Sequence, residues 1–101
     1  MQEHVPMKTL KMGDCLNYPH KGSHIKIHYE IYTPEGNKID SSKEEGIPFS
    51  FTLGKGEVLE EWDWVVKRMC LGQKVRAEMH NAESRSQGAK CIVEIELLSF
   101  K

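Results

Sequence analysis

The clearest feature of the chain is a strict alternation of apolar and polar residues between residues 24 and 32. The apolar positions are Ile25, Ile27, Tyr29 and Ile31. A period of two places these four side chains on one face of an extended strand and the polar side chains on the other. The segment therefore predicts a half-buried β-strand.

Further strands are predicted on both sides of this one from shorter stretches, most of which alternate in the same way. They cover residues 8–12, 38–41, 49–53, 73–80 and 91–97. Residues 17–23 and 33–37 contain proline and glycine and predict a loop and a turn between strands. The polar residues 42–48 predict a loop or a bulge, and residues 81–88 predict a short polar loop.

The hydrophobic period changes from two to three or four after residue 56. The apolar residues of this stretch are Val58, Leu59, Trp62, Val65, Val66 and Met69. Such spacing is typical of one face of an amphipathic helix, and Gly72 is placed to end it. Trp64 falls opposite Trp62 on this helix. It is therefore either an exposed residue available for a protein contact or a residue covered by a loop.

Several antiparallel strands and one short helix predict an α+β domain in which the helix covers the apolar face of a sheet. The 101 residues suffice for one hydrophobic core, so residues 1–101 are expected to form a single domain. Hydrophobic residues at 39% and charged residues at 29% are ordinary for a soluble globular domain, which argues against disorder.

The net charge and the lack of long apolar stretches exclude some classes of binding partner and cellular location. The formal net charge is −1, so the chain has no basic excess for a nucleic-acid surface. No stretch approaches the roughly 20 apolar residues of a membrane span, and residues 1–10 have no apolar signal core. We therefore expect a soluble, cytoplasmic monomer with neither nucleic acid nor membrane as partner, unless a receptor-read address or a removed leader directs it elsewhere.

The spacing of cysteine and histidine matches no familiar metal or redox motif. Cys15, Cys70 and Cys91 are odd in number and far apart, which is typical of reduced thiols in a cytosolic protein. His24 and His28 stand four residues apart but in a predicted strand, which makes a zinc site a minor alternative. We expect neither a metal nor another cofactor.

Three segments carry a resemblance to a known family. They are His28-Tyr29 with GNKIDSS at residues 36–42, PFSFTLG at residues 48–54 and VLEEW at residues 58–62, with EIELL at residues 94–98 continuing the match. In this order, and over nearly the whole chain, they resemble the FKBP family of peptidyl-prolyl isomerases. The resemblance implies a curved antiparallel sheet, a half barrel, wrapped around one short helix, with a ligand pocket between the two.

The resemblance also implies four catalytic residues. Tyr29 and Phe49 stand at the positions of two pocket walls, and Trp62 stands at the pocket floor. Asp40 matches an aspartate that accepts a hydrogen bond from a ligand. From the residue types alone, Trp62 on an apolar helix face is more typical of core packing, Tyr29 fits core packing as well as a ligand role, and Asp40 fits a turn-forming role equally well.

Four further positions are implied to bind the substrate, namely Ile39, Val58, Leu59 and Val93. In the family, the backbone N–H at the position of Leu59 holds a carbonyl of the ligand, although packing alone would also explain Val58 and Leu59. Ile39 and Val93 replace phenylalanines of the catalytic members. Residues 81–88 replace a longer loop that carries a ligand-binding tyrosine in the family.

The activity implied by the resemblance is that of a peptidyl-prolyl cis-trans isomerase acting on Xaa-Pro bonds in peptides or unfolded chains. The missing aromatic residues and the short loop predict weak activity and weak binding of tacrolimus and rapamycin. One alternative is a non-catalytic module that holds a partner protein in the same cleft. Another is a fragment of a larger, chaperone-like protein.

Overall fold

The computed structural model describes residues 5–80 and 90–101, which contain six strands and two helices. The strands are β1 (Met7–Lys11), β2 (His24–Tyr32), β3 (Lys38–Ser41), β4 (Phe49–Thr52), β5 (Lys74–His80) and β6 (Lys90–Phe100). The helices are α1 (Ser42–Glu45), between β3 and β4, and α2 (Glu60–Lys67), between β4 and β5.

The strands form one antiparallel sheet in the order β1-β5-β6-β2-β3, and β4 pairs with β2 off this path. The first part of β2 faces β4, where Ile27 lies opposite Phe49. Its second part faces β3, where Ile31 lies opposite Asp40. One long strand therefore brings Phe49 and Asp40 to the same edge of the sheet.

One apolar core joins the sheet to α2. Every second residue along most of β6 is buried, namely Cys91, Val93, Ile95 and Leu97. They belong to the same buried cluster as Val65 and Val66 of α2. Because complete burial of one aliphatic side chain contributes about 1.5–3 kcal/mol, this cluster is what holds the helix against the sheet.

The α+β fold class predicted from the sequence is confirmed, with one antiparallel sheet and one amphipathic helix. Strand β2 begins and ends at the predicted residues, 24 and 32. Ile25 and Ile27 are buried there, whereas Lys26 between them is exposed, as a period of two requires. The alternation predicted this strand well because one of its faces packs against the core, with Ile25 and Ile27 buried and Tyr29 and Ile31 half-buried.

The helical turn α1 differs from the prediction, which gave a loop or a bulge for residues 42–48. Ser41 caps the turn, because its Oγ accepts a hydrogen bond from the backbone N–H of Glu44 at 3.2 Å. Gly46 ends it with a φ of 73°, in the left-handed region that glycine adopts readily. A serine followed three residues later by a glutamate is a helix-start signature, and this signal was present in the sequence.

Helix α2 is shorter than predicted. It begins after its N-cap residue Leu59 and ends before its C-cap residue Arg68. Gly72, with a φ of 86°, belongs to the turn that leads into β5 and does not cap the helix. Met69 lies beyond the helix but is completely buried, so its place in the apolar pattern reflects burial rather than helical conformation.

Trp64 is buried, with 8% of its surface exposed, so the exposed alternative considered for it is wrong. The guanidinium carbon of Arg68 lies 3.7 Å from the centroid of its ring, and Nη1 of Arg68 donates a hydrogen bond to the Trp64 carbonyl at 2.9 Å. Arg68 follows four residues later, on the same side of the helix. The spacing identified the side facing away from Trp62, but not the side chain that folds over it.

Membrane-spanning helices, metal-ligand clusters and disulfides each bear on what the protein can do. Neither helix between residues 5 and 80 has the length and apolar character needed to cross a bilayer. Within the described ranges, no three His, Cys, Asp or Glu side chains gather as ligands of a metal ion would. Cys15 is exposed, Cys70 and Cys91 are buried, and all three are free thiols.

Candidate active site

Three aromatic rings from three different elements meet at one place, which we call the aromatic cleft. They belong to Tyr29 of β2, Phe49 of β4 and Trp62 of α2. The ring centroids are 5.4 Å apart for Tyr29 and Trp62, 5.8 Å for Tyr29 and Phe49, and 6.5 Å for Phe49 and Trp62. The ring planes cross at 81°, 87° and 67° in the same order, an edge-to-face arrangement that aromatic quadrupoles favour.

The aromatic cleft is anchored in the core and open to solvent. Tyr29 and Trp62 are half-buried and pack against the core cluster, while Phe49 keeps 36% of its surface exposed. Phe49 also stacks on the buried Phe51, with centroids 5.8 Å apart and planes at 30°. Apolar ring surface is thus held in a fixed geometry and remains accessible to a ligand.

Asp40 forms a polar rim beside the aromatic cleft. Its Oδ2 accepts a hydrogen bond from the Tyr29 hydroxyl at 3.3 Å, and its Oδ1 accepts one from the Ser41 backbone N–H at 2.8 Å. Asp40 therefore holds a turn and contacts the cleft at the same time. A carboxylate offers about four lone-pair positions, so Asp40 retains capacity to accept a hydrogen bond from a ligand.

Ser42 fixes the backbone at Tyr29, and it is a site residue that the sequence alone did not indicate. Its buried Oγ accepts a hydrogen bond from the Tyr29 N–H at 2.8 Å and donates one to the Tyr29 carbonyl at 3.3 Å. Nδ1 of His28 lies 3.1 Å from the same oxygen. These contacts tie α1 to β2 and so hold Asp40 beside the Tyr29 ring.

The start of α2 presents backbone N–H groups next to Trp62. The carbonyl of the N-cap residue Leu59 accepts hydrogen bonds from the N–H groups of Trp62 at 2.9 Å and Asp63 at 3.3 Å. No side chain in the described part of the chain caps this helix, and the N–H groups ahead of Trp62 have no acceptor within the helix itself. Leu59 is exposed and Val58 is half-buried, and both add apolar surface here.

The loop between β4 and α2 is held at both of its ends by side chains. Oε1 of Glu57 accepts a hydrogen bond from the Thr52 N–H at 2.9 Å, and Oδ1 of Asp63 accepts one from the Gly54 N–H at 3.0 Å. Gly54 has a φ of 76°, and a Cβ there would lie 2.8 Å from Cγ of Lys21. Glycine adopts this φ readily and has no Cβ to clash with Lys21. The loop therefore places the start of α2 at a defined position next to β4.

Ile39 and Val93, the two positions that lack phenylalanine, lie in different environments. Ile39 has 44% of its surface exposed and lines an open groove of about 390 Å³ that it shares with Asp40. Val93 is completely buried and lies opposite Ile31 in the sheet. Ile39 therefore offers surface to a ligand, whereas Val93 supports the sheet and offers none in this conformation.

The short loop predicted for residues 81–88 lies outside the described residues, so its effect on the cleft stays a prediction. His80 and Lys90, on either side of it in the chain, pair with each other in the sheet. All of the predicted catalytic and substrate-binding residues lie in the described part, and Tyr29, Phe49, Trp62 and Asp40 are the four that side-chain contacts bring together.

Comparison with known proteins points to one family. The sequence model of FKBP-type peptidyl-prolyl cis-trans isomerases matches residues 15–97. The Drosophila melanogaster protein "Peptidyl-prolyl cis-trans isomerase Fkbp12" is 41% identical over 72 residues, which cover 71% of this chain and 67% of the fly protein. "FK506-binding protein 1" of Yarrowia lipolytica is 41% identical over 70 residues, 69% of this chain and 65% of the yeast protein. "Peptidyl-prolyl cis-trans isomerase FKBP1A" of Xenopus laevis is 36% identical over 72 residues, with coverage of 71% and 67%.

Proposed function

This chain belongs to the FKBP-type peptidyl-prolyl cis-trans isomerase family, and we propose that it isomerises Xaa-Pro bonds of peptides or unfolded chains in the aromatic cleft. The single observation that carries the proposal is the meeting of Tyr29, Phe49 and Trp62 around accessible apolar surface, with Asp40 at its rim. Two of the relatives compared above carry the isomerase name, which favours catalysis over a non-catalytic binding module.

The chemistry of the reaction suits an apolar cleft. Rotation about an Xaa-Pro bond faces a barrier of about 18–20 kcal/mol, because it interrupts the amide resonance. The cis and trans states differ by only about 0.5–1 kcal/mol, so a catalyst has to bind the twisted amide better than either planar form. The twisted amide has lost part of its charge separation, and apolar surroundings therefore favour it over the planar amide.

Each residue of the site has a part in this proposal. Trp62 offers a flat face to the pyrrolidine ring, and Tyr29 and Phe49 enclose it from the sides. The Leu59 backbone N–H, at the start of α2, donates a hydrogen bond to a substrate carbonyl. Asp40 holds the Tyr29 hydroxyl and accepts a hydrogen bond from the substrate.

Further apolar surface at the rim completes the proposed binding site. Ile39 lies beside Asp40 in the open groove, and Val58 precedes Leu59 at the start of α2. Val93 is fully buried and packs within the sheet, so it supports the site without offering surface to a ligand. With aliphatic residues at 39 and 93 and a short loop at 81–88, the activity is weak and tacrolimus and rapamycin bind weakly.

The proposed setting is the cytoplasm, where the protein works as a monomer without a cofactor. Free cysteines are typical of that reducing compartment, and Cys70 and Cys91 are buried thiols. Proline-containing peptides and proteins are the proposed partners, in keeping with the apolar cleft and the small net charge of −1.

A refolding assay tests this function. A denatured protein whose refolding waits on an Xaa-Pro bond recovers in tens to hundreds of seconds at 25 °C. We expect catalytic amounts of this chain to accelerate that slow phase and to leave the fast phases unchanged. A slow phase that stays the same even at equimolar chain would contradict the proposal and favour the binding module.

A further inference from the structure

One hydroxyl group, that of Ser42, lies within hydrogen-bond distance of three groups along β2. The Tyr29 N–H donates to its Oγ at 2.8 Å, the Tyr29 carbonyl oxygen lies 3.3 Å from Oγ, and Nδ1 of His28 lies 3.1 Å from it. Ser42 has only 3% of its surface exposed. Because a serine hydroxyl carries a single hydrogen, it can donate to the Tyr29 carbonyl or to Nδ1 of His28, but not fully to both.

The hydroxyl of Ser42 connects the two faces of the sheet. Successive side chains of a strand point to opposite faces, so the rings of His28 and Tyr29 lie on different sides of β2. The Tyr29 ring contacts Trp62 in the aromatic cleft, whereas His28 is half-buried and lies opposite Glu96 of β6. A change at the His28 ring can therefore reach the backbone of a cleft residue through one hydroxyl group.

His28 lies in a charged recess on its face of the sheet. The charged side chains that line the recess with it are Glu30 of β2, Lys43 of α1, Lys74 of β5, and Glu94 and Glu96 of β6. Lys38 pairs with Glu30 at 3.1 Å, and Lys74 pairs with Glu94 at 3.8 Å. Among these residue types, only histidine ordinarily changes its charge between about pH 5 and 8.

The two charge states of the His28 ring leave the Ser42 hydroxyl hydrogen in different places. In the charged ring, Nδ1 carries a hydrogen and donates it to Oγ, so the hydroxyl hydrogen goes to the Tyr29 carbonyl. In a neutral ring whose hydrogen is on Nε2, Nδ1 is an acceptor and competes for the hydroxyl hydrogen. At 3.1 Å, Nδ1 is closer to Oγ than the carbonyl oxygen is at 3.3 Å.

We propose that His28 is a positioning residue of the isomerase site, whose charged ring directs the Ser42 hydroxyl onto the Tyr29 carbonyl and whose neutral ring draws the hydroxyl away. In the charged state Ser42 holds both the N–H and the carbonyl of Tyr29. The Tyr29 hydroxyl is then better fixed on Oδ2 of Asp40, 3.3 Å away. The effect on rate rests on the proposed isomerase function, whereas the effect on the Tyr29 backbone does not.

NMR of the isotope-labelled full chain, without substrate, tests the coupling between the two residues. We expect the Tyr29 carbonyl carbon to move downfield between about pH 8 and 5, with the same midpoint as the His28 ring nitrogens, because a carbonyl that accepts a stronger hydrogen bond shifts in this direction. The neutral ring should carry its hydrogen on Nε2. A Tyr29 carbonyl signal that does not follow the titration of His28, or a neutral ring with its hydrogen on Nδ1, would overturn the proposal.

Two histidine variants on the same strand sharpen this measurement. His28→Gln removes the titrating ring and should abolish the pH dependence of the Tyr29 carbonyl signal. His24→Gln is the matched control, since His24 is exposed on β2 and its Nδ1 likewise lies near a hydroxyl, 3.3 Å from Oγ1 of Thr52. It should leave the Tyr29 titration unchanged. A titration that persists in His28→Gln would assign the signal to another group and contradict the proposal.

The pH profile of the isomerase completes the test, with a peptide that has no ionisable side chain. We expect the wild-type kcat/KM to rise about twofold to tenfold from pH 8 to pH 5, the effect of one strengthened hydrogen bond. His28→Gln should show a flat profile, and His24→Gln should keep the rise. An active chain with the same profile in wild type and His28→Gln would overturn the proposal. An inactive chain whose Tyr29 carbonyl still follows His28 would contradict the isomerase function and support the coupling.

Discussion

The Tyr29 hydroxyl donates a hydrogen bond to Oδ2 of Asp40 across 3.3 Å, and this bond joins the apolar wall of the aromatic cleft to its polar rim. The two residues come from neighbouring strands, since Asp40 lies opposite Ile31, two residues beyond Tyr29. The Tyr29 ring also contacts Trp62 edge-on. A ligand that hydrogen-bonds to the Tyr29 hydroxyl or to the Asp40 carboxylate therefore acts on groups that already bond to each other. Ligand binding is thus coupled to the position of the Tyr29 ring.

Tyr29→Phe removes the hydroxyl and keeps the ring. We expect the isomerase kcat/KM to fall about twofold to tenfold, as for the loss of one hydrogen bond worth roughly 0.5–1.5 kcal/mol. Asp40→Ala should cause at least the same loss. Because both changes remove the same bond, the double variant should lose less than the sum of the two, which a double-mutant cycle measures. Additive losses would mean that the bond is not coupled to catalysis.

Trp62→Leu and Trp64→Leu distinguish ligand contact from packing within one helix. Trp62 is half-buried at the cleft, so we expect peptide affinity to fall about tenfold with a stability loss of about 1–2 kcal/mol. Trp64 is buried under Arg68, so Trp64→Leu should cost about 2–4 kcal/mol and leave the peptide Kd unchanged. Urea unfolding and NMR titration with a proline peptide measure the two quantities. Equal losses of affinity in both variants would contradict this division.

Ser42→Ala removes the side chain that pairs with the Tyr29 backbone. The Tyr29 N–H would lose its acceptor in a partly buried position, so we expect the free energy of unfolding to fall by about 1–3 kcal/mol. Ser50→Ala, on an exposed position of β4, is the matched control and should change stability by less than about 0.5 kcal/mol. Urea unfolding of both variants gives the comparison, and an equal change in both would show that Ser42 has no special part in the fold.

Introducing phenylalanine at residue 39 should improve ligand affinity, whereas introducing it at residue 93 should lower stability. Ile39 is exposed beside Asp40, so Ile39→Phe should raise tacrolimus affinity by about twofold to tenfold, the worth of one added aromatic contact, with little change in stability. Val93 is completely buried, so Val93→Phe should overfill the core and cost about 1–3 kcal/mol. Calorimetric titration and urea unfolding distinguish the two. A gain in affinity from Val93→Phe at no cost in stability would show that the core opens towards the cleft.

Glu30 gives a stability contribution that depends on pH. Its carboxylate pairs with Nζ of Lys38 at 3.1 Å, and this hydrogen bond lowers the pKa of Glu30 below its ordinary value of 4.5. A lowered pKa in the folded state means that the stabilisation is present above pH 4.5 and is lost as the pH falls through the folded-state pKa.

We therefore expect Glu30→Gln to lower the urea midpoint at about pH 7, and this effect should shrink steadily as the pH falls below 4.5 and the wild-type carboxylate becomes protonated. Glu35→Gln, on an exposed turn position, is the control and should leave the midpoint unchanged across the same pH range. A loss for Glu30→Gln that stays the same as the pH falls would assign its effect to packing instead of charge.

The long strands of the sheet could be predicted because they bury one face in the core and leave the other face more exposed. In β6 the buried residues Val93, Ile95 and Leu97 alternate with half-buried Glu94 and Glu96, and this is the pattern that a period of two detects. The turn α1 was also encoded locally, in the serine and glutamate at its start, but the polar composition of the segment concealed it.

The remaining features depend on contacts between residues that are distant in the sequence. Tyr29, Phe49 and Trp62 come from three elements, so no spacing rule could bring them together, and only the resemblance to a family did so. Ser42 becomes a buried residue through the Tyr29 backbone, 13 residues away. Trp64 is buried although it faces away from Trp62, because helix periodicity does not report what covers the second face.

Two-dimensional exchange NMR on a peptide with one Xaa-Pro bond tests most directly whether the aromatic cleft is catalytic. The free peptide interconverts in tens to hundreds of seconds at 25 °C, too slowly for exchange cross-peaks. We predict cross-peaks between the cis and trans signals when wild-type chain is added, and an exchange rate about tenfold lower with folded Trp62→Leu. Trp64→Leu, where it remains folded, should match the wild type. An unchanged rate in Trp62→Leu, or no exchange with the wild type at high concentration, would contradict catalysis in the cleft.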